Sequence, residues 1–217
     1  MKFPAPPPQR SRVIYAAAGL LLSYPDEHVL SHLDLVEAGL SEVEGLAGFE
    51  PTLDHLRSKP MMELQSWHVQ EFDLSRRHAL HLTYWTAGDT RRRGEVLAAI
   101  KQTYRDSGLL VDLAGELPDH LPMVLEFASS GAPSLGVALL TTYRASLELL
   151  RMGLERDSLP HAGVVQAICA TLPGTTPQTR EEVQRLAWQT PTEMVGLDPF
   201  IATGYSADPG LTHQGRR

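Results

Sequence analysis

The residues best suited to chemistry in this sequence are an aspartate and a histidine that stand side by side, Asp119 and His120. Such a pair can orient an imidazole for acid–base catalysis, or supply two ligands to a metal ion. Pro118 and Pro122 flank it, however, and prolines in these positions favour the start of a helix. A catalytic couple also needs a nucleophile or a bound water, and no sequence feature supplies one.

If this stretch starts a helix, the environment of each nearby residue can be predicted. We expect Asp119 to cap a helix that begins at His120, because a capping carboxylate accepts hydrogen bonds from the N–H groups of the first turn. The apolar residues of this stretch should face the core or an apolar wall, and they are Leu121, Leu125 and Phe127. The polar residues should lie near a rim, and they are Glu116, Asp119, His120 and Glu126.

A second candidate for chemistry is the histidine pair His28 and His32, four residues apart on a predicted helix. This spacing can hold one metal ion. The intervening residues are Val-Leu-Ser, so the glutamate of a metalloprotease helix is missing. We expect exposed histidines without a metal. A metal-dependent hydrolase that uses these histidines or the Asp119–His120 pair is the enzyme alternative.

The elements that must position these residues are helices. Apolar residues recur at helical spacing along most of the chain, and no stretch alternates for long enough to indicate a strand. Val13–Leu22 fits a first core helix and is too short to span a bilayer. Ser75 should cap a helix that runs to Gly88. Asp89 should cap the next, which turns Tyr104 inward.

Length and composition indicate one compact all-α domain, a helical bundle with flexible termini. We expect a flexible proline-rich segment at residues 1–10, the helical domain at 11–202, and a disordered tail at 203–217. The lone cysteine, Cys169, excludes an intrachain disulfide and sits in an apolar stretch, so we expect it to be buried. A lone cysteine also suits a reducing cytosol.

The charge is unevenly distributed. The formal net charge is −7, yet residues 76–105 hold seven arginines and lysines against two acids. The acidic remainder argues against nucleic-acid binding. Three consecutive arginines, with Arg91 and Arg93 at the ends, open a predicted helix, where the macrodipole disfavours cations. One arginine could pair internally with Asp73 or Asp89. Alternatively, the arginines meet the carboxylates of a partner.

Several segments together resemble one protein family. They are LLLSYPDE at 20–27, the FD of EFDLSRRHAL at 71–80, GDTRRRG at 88–94, Tyr104, Gly108, and ELPDHLPMVLEF at 116–127. In this order and spacing they resemble the NarJ family, the assembly chaperones of respiratory nitrate reductase, also called its delta subunit. The family belongs to a wider group of redox-enzyme maturation chaperones that includes TorD and DmsD.

The resemblance implies an all-helical cytoplasmic chaperone that is not an enzyme and is not inserted in a membrane. It implies a partner, the N-terminal peptide of the catalytic (alpha) subunit of nitrate reductase. The chaperone would hold this apoenzyme until the molybdenum cofactor is inserted, would bind no cofactor stably, and could also meet cofactor-delivery proteins. An apolar groove between helices with a charged rim suits an amphipathic peptide. The predicted client-binding residues are Asp73, Asp89, Arg91, Arg93, Tyr104, Glu116, Asp119, His120, Leu121, Leu125, Glu126 and Phe127.

Two positions depart from the family pattern. Arg92 stands where the family commonly has an acidic or other polar residue, and His81 stands where an aromatic residue is expected. These departures affect which client sequence is preferred. A sister chaperone that serves another molybdoenzyme, such as a dimethyl sulfoxide or trimethylamine oxide reductase, is therefore the alternative within the same class.

Overall fold

The computed structural model describes residues 6–87, 91–113 and 115–189. Within these ranges the chain forms helices and turns and no β-strand, which confirms the predicted all-α class. The first helix begins at Gln9, inside the segment expected to be flexible. The tail expected at 203–217 lies outside the described residues.

The helices follow one another with short connections. In chain order they are α1 (Gln9–Leu21), α2 (Glu27–Ser31), α3 (Leu33–Glu42), α4 (Glu50–Ser58), α5 (Met61–His68), α6 (Tyr84–Ala87), α7 (Arg91–Asp106), α8 (Leu121–Glu126), α9 (Pro133–Thr142), α10 (Arg144–Arg156), α11 (Ala162–Thr171) and α12 (Arg180–Gln189). π-Helical segments extend α5 through Val69–Asp73 and α8 through Phe127–Gly131. The candidate residues Asp73 and Phe127 lie in these two π-helical segments.

Helix α1 lies in the centre of the domain, as the sequence predicts. It packs against α8, the π-helical segment that follows α8, α11 and α3. Its side chains Tyr15, Ala18 and Leu21 are fully buried. Gly19 allows a close approach to α8, because an added Cβ would lie 3.3 Å from the Pro122 carbonyl oxygen. Among the described residues, no helix is long and apolar enough to cross a membrane.

Helix α10 forms the second centre of packing, against α9, α11 and α12. It buries two arginines and a glutamate, Arg144, Glu148 and Arg151, in addition to its leucines. Arg151 Nε donates to Glu148 at 2.7 Å, and its Nη2 donates to the Pro177 carbonyl at 2.7 Å. Cys169 is buried beside this cluster as expected, and burial raises the pKa of its thiol.

The helix predicted from Ser75 to Gly88 is wrong over most of its length. Residues 74–83 form turns and an isolated bridge, and only Tyr84–Ala87 is helical. The physical reason is tertiary. Leu80 and Leu82 are both buried, and their backbone groups pair with the segment ahead of α8 instead of with a helical turn.

Candidate functional site

A short extended contact joins the segment 80–83 to the segment 119–121. The Leu82 N–H donates to the Asp119 carbonyl at 3.1 Å, and the Leu121 N–H donates to the Leu80 carbonyl at 2.9 Å. The result is an isolated antiparallel bridge between His81 and His120. It brings the SRRHAL and PDHLP motifs, which lie far apart in the sequence, side by side.

The Asp119 carboxylate lies inside this contact and is fully buried. Its Oδ2 accepts the Thr83 backbone N–H at 3.0 Å and the Thr83 hydroxyl at 2.6 Å. Its Oδ1 lies 3.3 Å from His81 Nδ1. Burial acts to raise the pKa of Asp119, but these hydrogen bonds from His81 and Thr83 prevail and lower it.

Two predictions for Asp119 are therefore wrong. It does not cap α8: the capping position is held by His120, which makes no side-chain capping bond, and α8 starts at Leu121. It also does not lie at an exposed rim, because its side chain is inaccessible. The carboxylate turns away from the α8 start because Thr83 and His81 supply donors from a segment that the sequence places elsewhere.

The arginine-rich start of α7 reaches the same point through Arg93. Arg93 Nε donates to the Thr83 hydroxyl oxygen at 3.1 Å, and its Nη2 lies 3.9 Å from Asp119 Oδ2. The internal partner of this arginine thus includes Asp119, which the sequence reading did not consider. Arg91 begins α7, but its side chain, like the whole of Asp89, lies outside the described residues.

Tyr104 fastens α7 to the other side of the PDHLP segment. Its hydroxyl donates to the Pro118 carbonyl at 2.8 Å, and its ring packs edge-on against Phe127 with centroids 4.8 Å apart. Burial, assisted by the Asp119 charge, raises the pKa of the phenol. Phe127, Leu121 and Leu125 are buried in the main core. The sequence left open whether they face the core or an apolar wall, and the structure places them in the core.

A row of rings lies at the surface side of the bridge. The His81 and His120 rings are 5.3 Å apart, and both residues are partly exposed. Burial lowers the pKa of His120, and Glu116 opposes this effect. Burial and the His120 charge lower the pKa of His68, the last residue of α5, to about 4. Tyr24 stands edge-on to His68 with centroids 5.6 Å apart and is 48% exposed.

The SYPDE segment is held to this row by α5. Gln65 Nε2 donates to the Pro25 carbonyl at 3.0 Å, and the neighbouring Asp26 carboxylate caps α2 by accepting the Val29 N–H at 2.9 Å. Tyr24 therefore has a fixed position beside α5 although its ring is exposed.

Two exposed acids, Asp73 and Glu116, border the row. Partial desolvation of its carboxylate and the Glu116 charge raise the pKa of Asp73, while the His81 charge opposes them. Each acid is followed by an exposed leucine, Leu74 at 69% and Leu117 at 40%. We call the surface of Tyr24, Asp73, His81, Glu116 and His120 the His120 face; Leu74 and Leu117 flank it.

The structure thus unites most of the predicted site residues, but in two layers. Asp119 and Tyr104 are buried beneath the His120 face, and Arg93, which is partly exposed, contacts this buried layer. Asp73, Glu116 and His120 form the surface of the face. Glu126 is exposed at the end of α8. Sequence reasoning missed Thr83 and His68, since no motif distinguishes either from other residues at helical spacing.

Among the described residues, neither the His28–His32 pair nor the Asp119–His120 pair gains a third metal ligand. The His28 and His32 rings lie 4.4 Å apart, on α2 and just after its end, and His32 Nδ1 contacts the His28 carbonyl at 2.7 Å. Across the described parts of the chain, no group of three or more histidine, cysteine, aspartate or glutamate residues could hold a metal ion. An open cavity of about 310 Å³ is lined instead by Thr175, Pro177, Glu182, Arg185 and Leu186, outside the His120 face.

Comparison with known proteins identifies the family. The family model described as nitrate reductase delta subunit matches residues 38–165, more than half of the chain. The chain belongs to the nitrate reductase delta subunit family. This confirms the resemblance that the motifs indicate. The matched region contains the π-helical extension of α5, all of α7 and α8, and the bridge between His81 and His120.

Three relatives show how far the similarity extends. The chain is 39% identical over 161 residues to the nitrate reductase-like protein NarX of Mycobacterium tuberculosis, across 73% of this chain but 24% of that protein. It is 29% identical to the probable nitrate reductase molybdenum cofactor assembly chaperone NarJ of Bacillus subtilis, over 74% of this chain and 89% of that one. It is 27% identical to Escherichia coli NarJ, over 65% and 62%. The chain thus spans about a quarter of the length of NarX and most of the Bacillus protein.

The delta subunit family fold also occurs in a solved structure. An Archaeoglobus fulgidus protein described as a redox enzyme maturation protein superposes with a TM-score of 0.56, over 73% of this chain and 91% of that one, at 23% identity. At that identity the likeness shows the fold. The NarJ relatives are named as assembly chaperones and not as enzymes, which confirms the prediction of a non-enzymatic family.

Proposed function

We propose that this chain is a maturation chaperone that binds the N-terminal segment of the nitrate reductase catalytic subunit. It holds the apoenzyme while the molybdenum cofactor is inserted. Family membership and the names of the NarJ relatives support the chaperone class and the nitrate reductase partner. The observation that carries the site is the convergence of the SYPDE, FD, arginine and PDHLP segments around the His120 face.

The composition of the His120 face fits a peptide that has both apolar and polar side chains. Exposed Tyr24 and the flanking Leu74 and Leu117 offer apolar area, which drives association when it is removed from water. Asp73 and Glu116 offer negative charge beside that area, and His120 adds a ring that can accept or donate a hydrogen bond. An amphipathic leader that orders on binding meets both kinds of contact.

Such a complex forms reversibly. A peptide segment that is unfolded in solution loses conformational entropy when it is ordered, and this loss offsets much of the gain from apolar burial. The buried layer under the face, Asp119, Thr83 and Tyr104, is already ordered by its own hydrogen bonds, so the chaperone itself pays little further entropy. The result is a modest affinity, and the chaperone can release the finished client.

In this proposal the molybdenum cofactor is cargo of the client. The chain contributes the surface that keeps the client open, and proteins that deliver the cofactor are further partners. The cytoplasm is the compartment in which we place these events, in accordance with the single cysteine.

The test is affinity capture with the full chain, followed by mass spectrometry of the bound large subunit, in the source organism grown with nitrate. We expect the nitrate reductase catalytic subunit. Calorimetry with a synthetic peptide of its N-terminal segment should show binding that His120→Ala weakens and Glu42→Gln, on the exposed side of α3, leaves unchanged. Capture of another molybdoenzyme would mean that this other enzyme is the client. Absence of binding to the peptide would contradict the proposal.

A further inference from the structure

The Thr83 side chain is the junction of the buried layer beneath the His120 face. It is fully buried, and its hydroxyl contacts both the Asp119 carboxylate at 2.6 Å and Arg93 Nε at 3.1 Å. Its backbone N–H also donates to Asp119, at 3.0 Å. One small residue therefore links the bridge segment, the PDHLP segment and the start of α7.

The chemistry of the three side chains fixes the direction of the hydrogen bonds that link Arg93, Thr83 and Asp119. A guanidinium group only donates, and an ionised carboxylate only accepts. The Thr83 hydroxyl must therefore accept from Arg93 and donate to Asp119. A residue with both capacities and this size is required, because a side chain that lacks a hydroxyl leaves Arg93 Nε without this acceptor and Asp119 with one donor fewer.

We propose that Thr83 is a positioning residue for client binding, an inference that rests on the proposed function. It touches no client atom. It holds Asp119, which in turn holds His81 through the 3.3 Å contact, so that His81 and His120 stand together at the surface. Through Arg93 it holds the first turns of α7 at a fixed distance from the same surface.

The arrangement explains why the motif arginine and the motif aspartate do not form a close ion pair. Arg93 Nη2 and Asp119 Oδ2 remain 3.9 Å apart, with the Thr83 hydroxyl in contact with both side chains. Loss of the hydroxyl would let the two charges approach directly, because their attraction strengthens in a buried site. The start of α7 would then move toward the bridge, and the His120 face would change shape.

The variants that test this are Thr83→Val and Thr83→Ser. Valine keeps the branched shape and removes the hydroxyl, whereas serine keeps the hydroxyl. We expect Thr83→Val to raise the Kd for the synthetic leader peptide of the nitrate reductase catalytic subunit roughly tenfold, the effect of one hydrogen bond to a charged group. We expect Thr83→Ser to restore most of the affinity.

The matched control is Thr52→Val. Thr52, in α4, is also fully buried, and its hydroxyl donates to the Pro160 carbonyl at 2.9 Å; neither residue belongs to the His120 face. We expect this variant to lower the melting temperature as Thr83→Val does, and to bind the peptide as the unmodified chain does. Calorimetry is carried out well below both melting temperatures, so that each variant is folded.

The possible outcomes distinguish the positioning role of Thr83 from the proposed binding of the peptide. If the unmodified chain binds the peptide and Thr83→Val binds it equally well, the positioning role is wrong and the proposed function stands. If Thr83→Val and Thr52→Val weaken binding to the same degree, the effect is general destabilisation and the inference is again wrong. If the unmodified chain does not bind the peptide, both fall.

Discussion

The Thr83 hydroxyl oxygen lies 2.6 Å from Oδ2 of Asp119, and neither side chain is accessible to solvent. This contact joins two segments that are 36 residues apart in the sequence. It converts an aspartate that looks like a helix cap into a tertiary anchor. The exposed neighbours of Asp119 can then form a surface, since the backbone beneath them is fixed.

Replacement of Asp119 by asparagine tests this anchor. The amide nitrogen of the asparagine only donates, and it would face the Thr83 or His81 donors that the carboxylate accepts from. We therefore expect a loss of about 2 kcal/mol in the free energy of unfolding at pH 7. Because the folded-state pKa of Asp119 is lowered, its ionised form contributes stability above the unfolded value of about 3.9, and this contribution is lost as the pH falls through the folded pKa. Urea unfolding at neutral and at acidic pH should show a difference between variant and unmodified chain that shrinks in acid; a constant difference would contradict it.

Buried histidines predict a second pH dependence. Burial, with the charges of His55 and His68, lowers the pKa of His161 to about 3. The pKa of His68 is lowered to about 4. Since both folded values lie below the unfolded value of about 6.5, the neutral rings stabilise the fold above pH 6.5. Stability should fall by up to about 1.4 kcal/mol per pH unit for each histidine as the pH drops from there toward the folded pKa.

The measurement is the urea midpoint between pH 7 and pH 5. The ring of His161 stacks on Trp67 with centroids 5.2 Å apart, so His161→Phe keeps an aromatic ring there. This variant should flatten the pH dependence, whereas His28→Gln on the exposed side of α2 should not. Equal slopes in all three proteins would show that His161 does not titrate with folding.

Two leucines with equal exposure test whether apolar residues at the edge of the His120 face contribute to the affinity for the leader peptide. Leu74, beside Asp73, and Leu35, on α3, are each 69% exposed. We expect Leu74→Ser to weaken binding of the leader peptide roughly tenfold, because part of a leucine side chain is no longer buried against the client. Leu35→Ser should leave the affinity unchanged. Equal affinities for both variants would remove Leu74 from the binding surface.

The ionic cluster of α10 gives a prediction on stability alone. Glu148 is fully buried between Arg144, at 3.4 Å, and Arg151, at 2.7 Å. Glu148→Gln leaves two buried cations without their shared anion, and we expect a loss of about 3 kcal/mol in the free energy of unfolding. Glu155, which pairs with Arg151 but is 41% exposed, should give a smaller loss in the matched glutamine variant. Equal losses in urea unfolding would mean that burial does not govern the cost.

Much of the helical framework could be predicted from local patterns. Apolar spacing identified α1 and α7, and Gly108 at a positive φ of 75° ends α7 where the sequence places a glycine. Thr179 lies ahead of α12 and its hydroxyl accepts the Glu182 N–H at 3.2 Å, as expected of a cap. These features depend on residues only three to seven apart, so short-range periodicity and capping chemistry suffice.

The segment 74–83 and the role of Asp119 could not be predicted in this way. Leu82 and Trp85 fit a helix face by their three-residue spacing, and Asp119 fits a cap by its position before His120. Both readings fail because the donors and acceptors that these residues use belong to a segment distant in sequence. Asp73 and Glu116 are exposed and His120 is partly exposed, and their common face appears only when the bridge forms.

The sequence alone determined the helical class, the family and the set of motif residues, because periodicity, capping and motif order are properties of neighbouring positions. Tertiary structure decided which of those residues are buried and which are presented. Asp119 is fully buried and His120 is partly exposed although they are adjacent, since the Thr83 and His81 donors draw only the carboxylate inward. That choice depends on contacts across tens of residues, which no local pattern encodes.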